Sequence, residues 1–155
     1  MEWACCLSLR ATQHLTIMVD TLTQKERSQR MALIRAKNTG PELAVRKLVH
    51  GLGYRYRLHG SSTPGKPDLV FAGRKKAIFV HGCFWHRHSD SACKLARMPK
   101  SRLEFWAPKL EKNQRRDEQV VKQLAERGWE TLTIWECQLA DIRTLADKVR
   151  SFLES

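Results

Sequence analysis

Three histidines and a cysteine fall within eight residues, His81-Gly82-Cys83-Phe84-Trp85-His86-Arg87-His88, directly after the apolar run Ala77-Ile78-Phe79-Val80. Cys93 follows five residues later, and Cys137 closes a second apolar run, Thr131 to Trp135. Imidazole nitrogens and thiolates are the ligands zinc prefers, and a structural zinc takes four of them in a tetrahedron. The ends of neighbouring strands in one sheet can meet in space, so two loops distant in sequence can share one ion. Six side chains compete for four places: Cys83, Cys93, Cys137, His81, His86 and His88. Thiolates are the strongest of these ligands, which leaves one histidine for the metal and two for other work. The bland alternative is a set of buried free thiols beside a solvated histidine turn, because the cysteines are not spaced as a CxxC pair.

Two carboxylates and three aromatic rings add to the set. Asp68 ends Pro64-Gly65-Lys66-Pro67-Asp68 at the mouth of a strand, where it either caps a turn or ligates Mg²⁺. Asp117 lies seven residues after Leu110 and four before Val121, on the apolar stripe of a helix. A carboxylate buried there needs a partner such as a histidine or a metal-bound water; the alternative is a half-exposed side chain at the stripe's edge. Phe84 and Trp85 interrupt the metal-type ligands, and Trp106 follows Glu104 and Phe105. Aromatics usually pack in a core, but exposed rings in a basic field stack on bases or wedge between base pairs. The segment from Lys94 to Arg116 carries eight basic residues against two acidic ones, which suits a nucleic-acid face better than a merely solvated one.

The elements that must position these groups alternate between helix and strand. The reading predicts a basic helix over 21–36 and a second opening at Thr39-Gly40-Pro41-Glu42, a capping-box spacing, and ending at Gly51 and Gly53. Strands are predicted at Tyr54–Leu58, Leu69–Phe71, Ala77–Val80 and Thr131–Trp135. Helices are predicted from Pro108 to Arg127, stopped by Gly128, and from Ile142 to Leu153. This is an α/β single domain with a mixed sheet flanked by helices. Residues 1–20 show no sustained period and make a poor export signal, since Glu2 is acidic and Arg10 breaks the apolar run. They are expected to be a disordered or misassigned extension, with the domain over 21–155. A cytoplasmic, reducing compartment follows, so the cysteines favour metal over disulfides.

Across 155 residues, 28 Lys and Arg oppose 16 Asp and Glu, a formal charge of +12. That field attracts polyanions, nucleic acid first. The chain has no lipidation motif and no long apolar run, so a membrane partner is not expected.

Taken in order, the run His81-Gly-Cys-Phe-Trp-His-x-His88, the preceding Pro64 to Asp68, Glu104-Phe105-Trp106, Lys112-Asn113, Asp117 and Trp135-Glu136-Cys137 resemble the very-short-patch-repair (Vsr) DNA mismatch endonucleases over about residues 21–140. The resemblance implies a restriction-endonuclease-like fold. It implies a monomer that nicks one strand of double-stranded DNA beside a T:G mismatch left by deamination of 5-methylcytosine. Asp68 and the backbone carbonyl of Val80 then bind Mg²⁺, and His86 is the general base. His81, Glu42 and Asp117 orient the base or metal-bound waters. Cys83, His88, Cys93 and Cys137 hold a structural zinc, while Phe84, Trp85 and Trp106 wedge into the duplex. The Glu-x-Lys signature common among nucleases is absent, with Phe79-Val80-His81 in its place. Mismatch-repair proteins and a cytosine-5 methyltransferase are the implied functional neighbours, and a nucleoid-associated location follows. Two rival readings are a restriction-like endonuclease indifferent to mismatches and a zinc-bearing DNA-binding module without catalysis.

Overall fold

The computed structural model describes residues 37–58, 60, 63–99 and 102–155, together with residues 23, 25, 26 and 29. Ala36–Ser155 form one compact unit. The extension over 1–20 and most of the helix expected over 21–36 lie outside the described residues.

Helix α1, Gly40–Gly51, starts at the predicted cap. The Thr39 hydroxyl oxygen accepts the Glu42 N–H at 3.4 Å. The Glu42 carboxylate reaches one residue past the cap and accepts the Asn38 N–H at 2.8 Å. Its apolar face, Val45 and Val49, enters the core with Leu69, Phe71, Ile78 and Ile134 from the sheet. Leu145, Val149 and Leu153 of the last helix, α3 (Ile142–Glu154), complete that core.

The sheet has three strands in the order β1 (Leu69–Phe71), β2 (Lys76–His81), β3 (Glu130–Trp135). β1 pairs with β2 antiparallel through a short turn in which Lys75 adopts the left-handed conformation, φ 49°. β2 pairs with β3 in parallel, so the chain must cross over between them, and helix α2 (Leu103–Glu126) makes that crossing. As the central strand, β2 is buried along nearly its whole length, which is why Ala77 to Val80 reads as a continuous apolar run. The mixed sheet with flanking helices is the α/β domain expected. No helix among the described residues is long and apolar enough to cross a membrane.

Two boundaries differ from expectation. Tyr54–Leu58 is not a strand; only one bridge, Arg57 to Val70, joins it to β1. Tyr56 turns to the core instead: its ring meets Phe71 edge-on at 6.2 Å and its hydroxyl donates to the Arg46 carbonyl at 3.1 Å. A three-residue neighbour offers too short a ladder to outweigh that. Helix α2 begins five residues before Pro108, not at it. A proline inside a helix forfeits one backbone hydrogen bond. The extra turn is held by Trp106, whose ring packs on Phe84 at 5.4 Å and Trp85 at 5.9 Å.

The turn carrying Asp68 docks on α2 through Gly65, whose φ is +70°. A Cβ there would stand 2.2 Å from Val120 Cγ1. Gly65→Ala is therefore expected to cost about 2–4 kcal/mol in urea unfolding, from left-handed strain plus overpacking. Adding Val120→Ala should recover only the overpacking part, and an unchanged midpoint in the single variant would refute the close approach.

Candidate functional site

The register of β2 and β3 sets His81 opposite Trp135 at the ends of their strands. Two residues on, Cys83 and Cys137 emerge side by side, and the Cys137 N–H donates to Cys83 Sγ at 3.4 Å. After Cys83 the chain coils: the His86 N–H donates to the Gly82 carbonyl at 3.2 Å, and the His88 N–H to the Cys83 carbonyl at 3.0 Å. The coil splits the histidine run between two clusters.

In the first cluster, one ligand atom each from Cys83, His88, Cys93 and Cys137 lies within 4.8 Å of all the others. Tetrahedral zinc with ordinary bond lengths separates its donors by roughly 3.4–3.8 Å, so a small inward movement would bring these four donors to zinc-binding separations. The His88 Nδ1 to Cys137 Sγ separation is already 3.5 Å. Burial pushes the Cys83 thiol up to about 12 and also raises Cys137. Burial opposes ionisation of Cys93 too, but hydrogen bonds from the Leu95 and Ala96 backbone and the neighbouring thiols bring it below the usual thiol value. Three thiols and an imidazole nitrogen this close together form a donor set that a dication could hold by replacing the thiol protons.

In the second cluster, a cleft of about 420 Å³ is lined by all six residues expected around a catalytic ion: Glu42, Asp68, Val80, His81, His86 and Asp117. Asp68 Oδ2 accepts the Val80 N–H at 2.8 Å, which ties the mouth of β1 to β2. His86 Nδ1 and Asp117 Oδ2 form a hydrogen-bonded pair. This is the partner that Asp117's place on the helix stripe required. Burial would raise the Asp117 carboxyl, but the hydrogen bond and charge of His86 outweigh it and hold the carboxyl below its usual value. His81, 9% exposed, stacks on His86 with ring centres 3.9 Å apart and planes 10° from parallel. Burial, then the neighbouring His86 charge, lowers the His81 pKa to about 4, so its ring is neutral near pH 7.

Glu42 forms part of the cleft wall, but its carboxylate is committed. It pairs with buried Arg46 at 3.1 Å and accepts from the Thr39 hydroxyl at 3.0 Å. Arg46 is a residue that sequence reasoning missed, although its i,i+4 spacing from Glu42 is a usable signal. Lys66 and Arg116 were also missed; both line the cleft, and Arg116 Nη2 lies 3.5 Å from Asp117 Oδ1.

Phe84, Trp85 and Trp106 come together as an edge-to-face cluster outside the main core. Phe105, 48% exposed, extends it. The Lys109 ammonium sits 5.6–5.7 Å from the ring centres of Trp85, Phe105 and Trp106. Asn113 Nδ2 donates to the Trp85 carbonyl at 3.1 Å. Lys109 follows Phe105 by four and Trp106 by three, which puts all three on one helix face.

A family described as DNA mismatch endonuclease Vsr matches residues 19–92. The chain is 45% identical over 137 residues to the type II nicking enzyme V.XorIIP of Xanthomonas oryzae pv. oryzae, covering 88% of this chain and 98% of that protein. It is 38% identical over 131 residues to the DNA mismatch endonuclease Vsr of Escherichia coli, covering 84% and 82%. In fold it is similar to the catalytic domain of the homing endonuclease I-Bth0305I, with TM-score 0.50 and 20% identity, covering 74% of this chain and 94% of that one.

The four-donor cluster predicts a tightly bound metal in the purified protein. Cys137→Ser should weaken its retention at least about tenfold and lower the thermal midpoint, read by elemental analysis and calorimetry. A variant with the parental metal content would remove Cys137 from the ligand set.

Proposed function

We propose, given that the chain belongs to the Vsr family of DNA mismatch endonucleases, that its cleft hydrolyses one strand of duplex DNA beside a T:G mismatch. The observation that carries this reading is the meeting of Asp68 with the His86–Asp117 pair in one cleft. The family supplies the reaction class, DNA endonuclease, and the residues supply the roles.

Asp68 and the Val80 carbonyl would hold Mg²⁺, a role that suits one carboxylate on the wall of a cleft roomy enough for the waters Mg²⁺ retains. When bound, the ion stabilises charge on the phosphate and the leaving oxygen. The other steps belong to side chains. Asp117 accepts from His86 Nδ1, which fixes the tautomer and leaves Nε2 to take the proton of the attacking water. The same carboxylate then attracts the imidazolium that forms, as in other hydrogen-bonded histidine–carboxylate pairs. His81 stays neutral beneath it and adds no competing positive charge. Glu42, locked to Arg46 and the α1 cap, keeps the wall rigid. Zinc at Cys83, His88, Cys93 and Cys137 would brace the loop that carries His86.

Mismatch preference has an energetic source in the aromatic cluster. Inserting Phe84, Trp85 and Trp106 costs about a few kcal/mol of base stacking, and the cost is least where pairing is already weak. Among the described residues, Asp68 and the His86–Asp117 pair come together in one cleft, which suits a single-strand nick. The net charge of +12 supplies attraction to the phosphates.

Incubation with Mg²⁺ and either T:G-containing or matched duplexes tests the proposal. Nicking of the T strand in the mismatched duplex alone is expected; equal cutting of both duplexes would leave a restriction-like enzyme, and binding without cutting a non-catalytic module. Asp68→Ala should retain mismatch binding and lose nicking. His86→Ala should slow nicking by about 10²–10⁴-fold. Parental nicking by Asp68→Ala would reject the metal-ligand role.

A further inference from the structure

Trp135 belongs to neither cluster's donor set, yet its ring touches both. Its indole stacks on His88 of the four-donor site, with centres 4.3 Å apart and planes at 25°. It meets His81 of the cleft edge-on, at 5.4 Å and 74°. His81 in turn stacks on His86 at 3.9 Å, and His86 pairs with Asp117. Four rings thus run unbroken from one site to the other: His88, Trp135, His81, His86. Among the described residues the His81 imidazole makes no hydrogen bond; ring contacts with Phe79, His86 and Trp135 locate it. Three ring contacts therefore set its orientation, and the Trp135 indole is the largest of the three rings. The bland alternative is that Trp135 simply fills space at the end of β3. But Trp135 is absent from the main core cluster, and its two ring partners are functional side chains of separate sites.

We propose that Trp135 is a positioning residue: its indole holds the His81–His86 stack in line with Asp117 and ties that alignment to the loop anchored at His88. This rests on the reading that His86 takes the proton from water. The backbone register supports the arrangement, because His81 and Trp135 are opposed at the ends of β2 and β3. Replacing the indole with a smaller, non-planar side chain frees the His81 ring to rotate. His86 then loses the flat surface beneath it, although its hydrogen bond to Asp117 survives.

The test uses the full, metal-loaded chain with Trp135→Leu and Trp135→Phe. For Trp135→Leu, bound metal and mismatch-duplex binding should stay parental and KM within about twofold. Its kcat should fall about 10–100-fold, the scale of a small misplacement of a reacting group. The ¹⁵N imidazole signals of His81 and His86 should move, a readout independent of activity. Trp135→Phe, which restores a flat ring, should recover most of the rate and return the signals toward their parental positions. A parental kcat in Trp135→Leu overturns the proposal, as does a rate loss that follows metal loss or a phenylalanine variant no better than leucine. Failure of the underlying reading looks different: His86→Ala would then nick at the parental rate while Trp135→Leu still moved the imidazole signals.

Discussion

Parallel pairing of β2 with β3 in a single register is the constraint on which both clusters rest. Opposing His81 to Trp135 brings Cys83 and Cys137 out of the sheet as neighbours and sets a tryptophan beside the buried histidine. A slip of one residue would reverse every side chain of one strand between the two faces of the sheet. Ile134, now in the core with Ile78, would leave it, and Trp135 would lose His81. The register is enforced from below by the apolar run of β2, buried between two strands, and from one face by α1 and α3.

The cleft gathers groups that are costly to bury, and each has a local means of meeting the cost. Glu42 is 7% exposed, but it lies at an α-helix N-terminus and accepts from Asn38, Thr39 and Arg46. Asp117 is paired with His86 and approached by Arg116. His81 avoids the cost by remaining neutral. Asp68 lines the same cleft at the mouth of β1, with its Oδ2 accepting the Val80 N–H. Gly65 completes the arrangement by letting the Asp68 turn rest against Val120, one helical turn from Asp117. Aromatic and basic residues are concentrated on the first turns of α2, so that helix carries both part of the aromatic cluster and the Asp117 of the cleft.

Much of this was legible in the residues alone, for local reasons. The α1 cap, the central apolar strand and the last helix follow from capping chemistry and apolar period, which neighbouring residues decide. The histidine–cysteine run pointed to a metal site because few other roles gather those side chains so closely. Asp117's position on an apolar stripe called for a partner, and the family resemblance divided the histidines between two sites. The misreadings have physical causes too. Tyr54–Leu58 alternates like a strand, but Tyr56 found a better contact across the core than a ladder could offer. Pro108 looked like a helix start because helix rules weigh the backbone, whereas Trp106 packing extended the helix past it.

The amino-acid sequence by itself determined which chemistry this protein has available: thiols and imidazoles of the kind that bind metal, a carboxylate at a strand mouth, a second carboxylate on a helix stripe, and aromatics in a basic field. Those depend on residue types and short-range spacing. Only the tertiary structure decided which groups meet. Cys83 and Cys137 are 54 residues apart, His86 and Asp117 are 31 apart, and their contacts come from strand register and a crossover helix. The links that no local pattern reveals are of the same kind: Arg116 and Lys66 in the cleft, Lys109 over the Trp85 ring, and Trp135 between two sites. Packing in three dimensions sets these contacts, because side chains that are distant in sequence acquire neighbours only when the sheet closes.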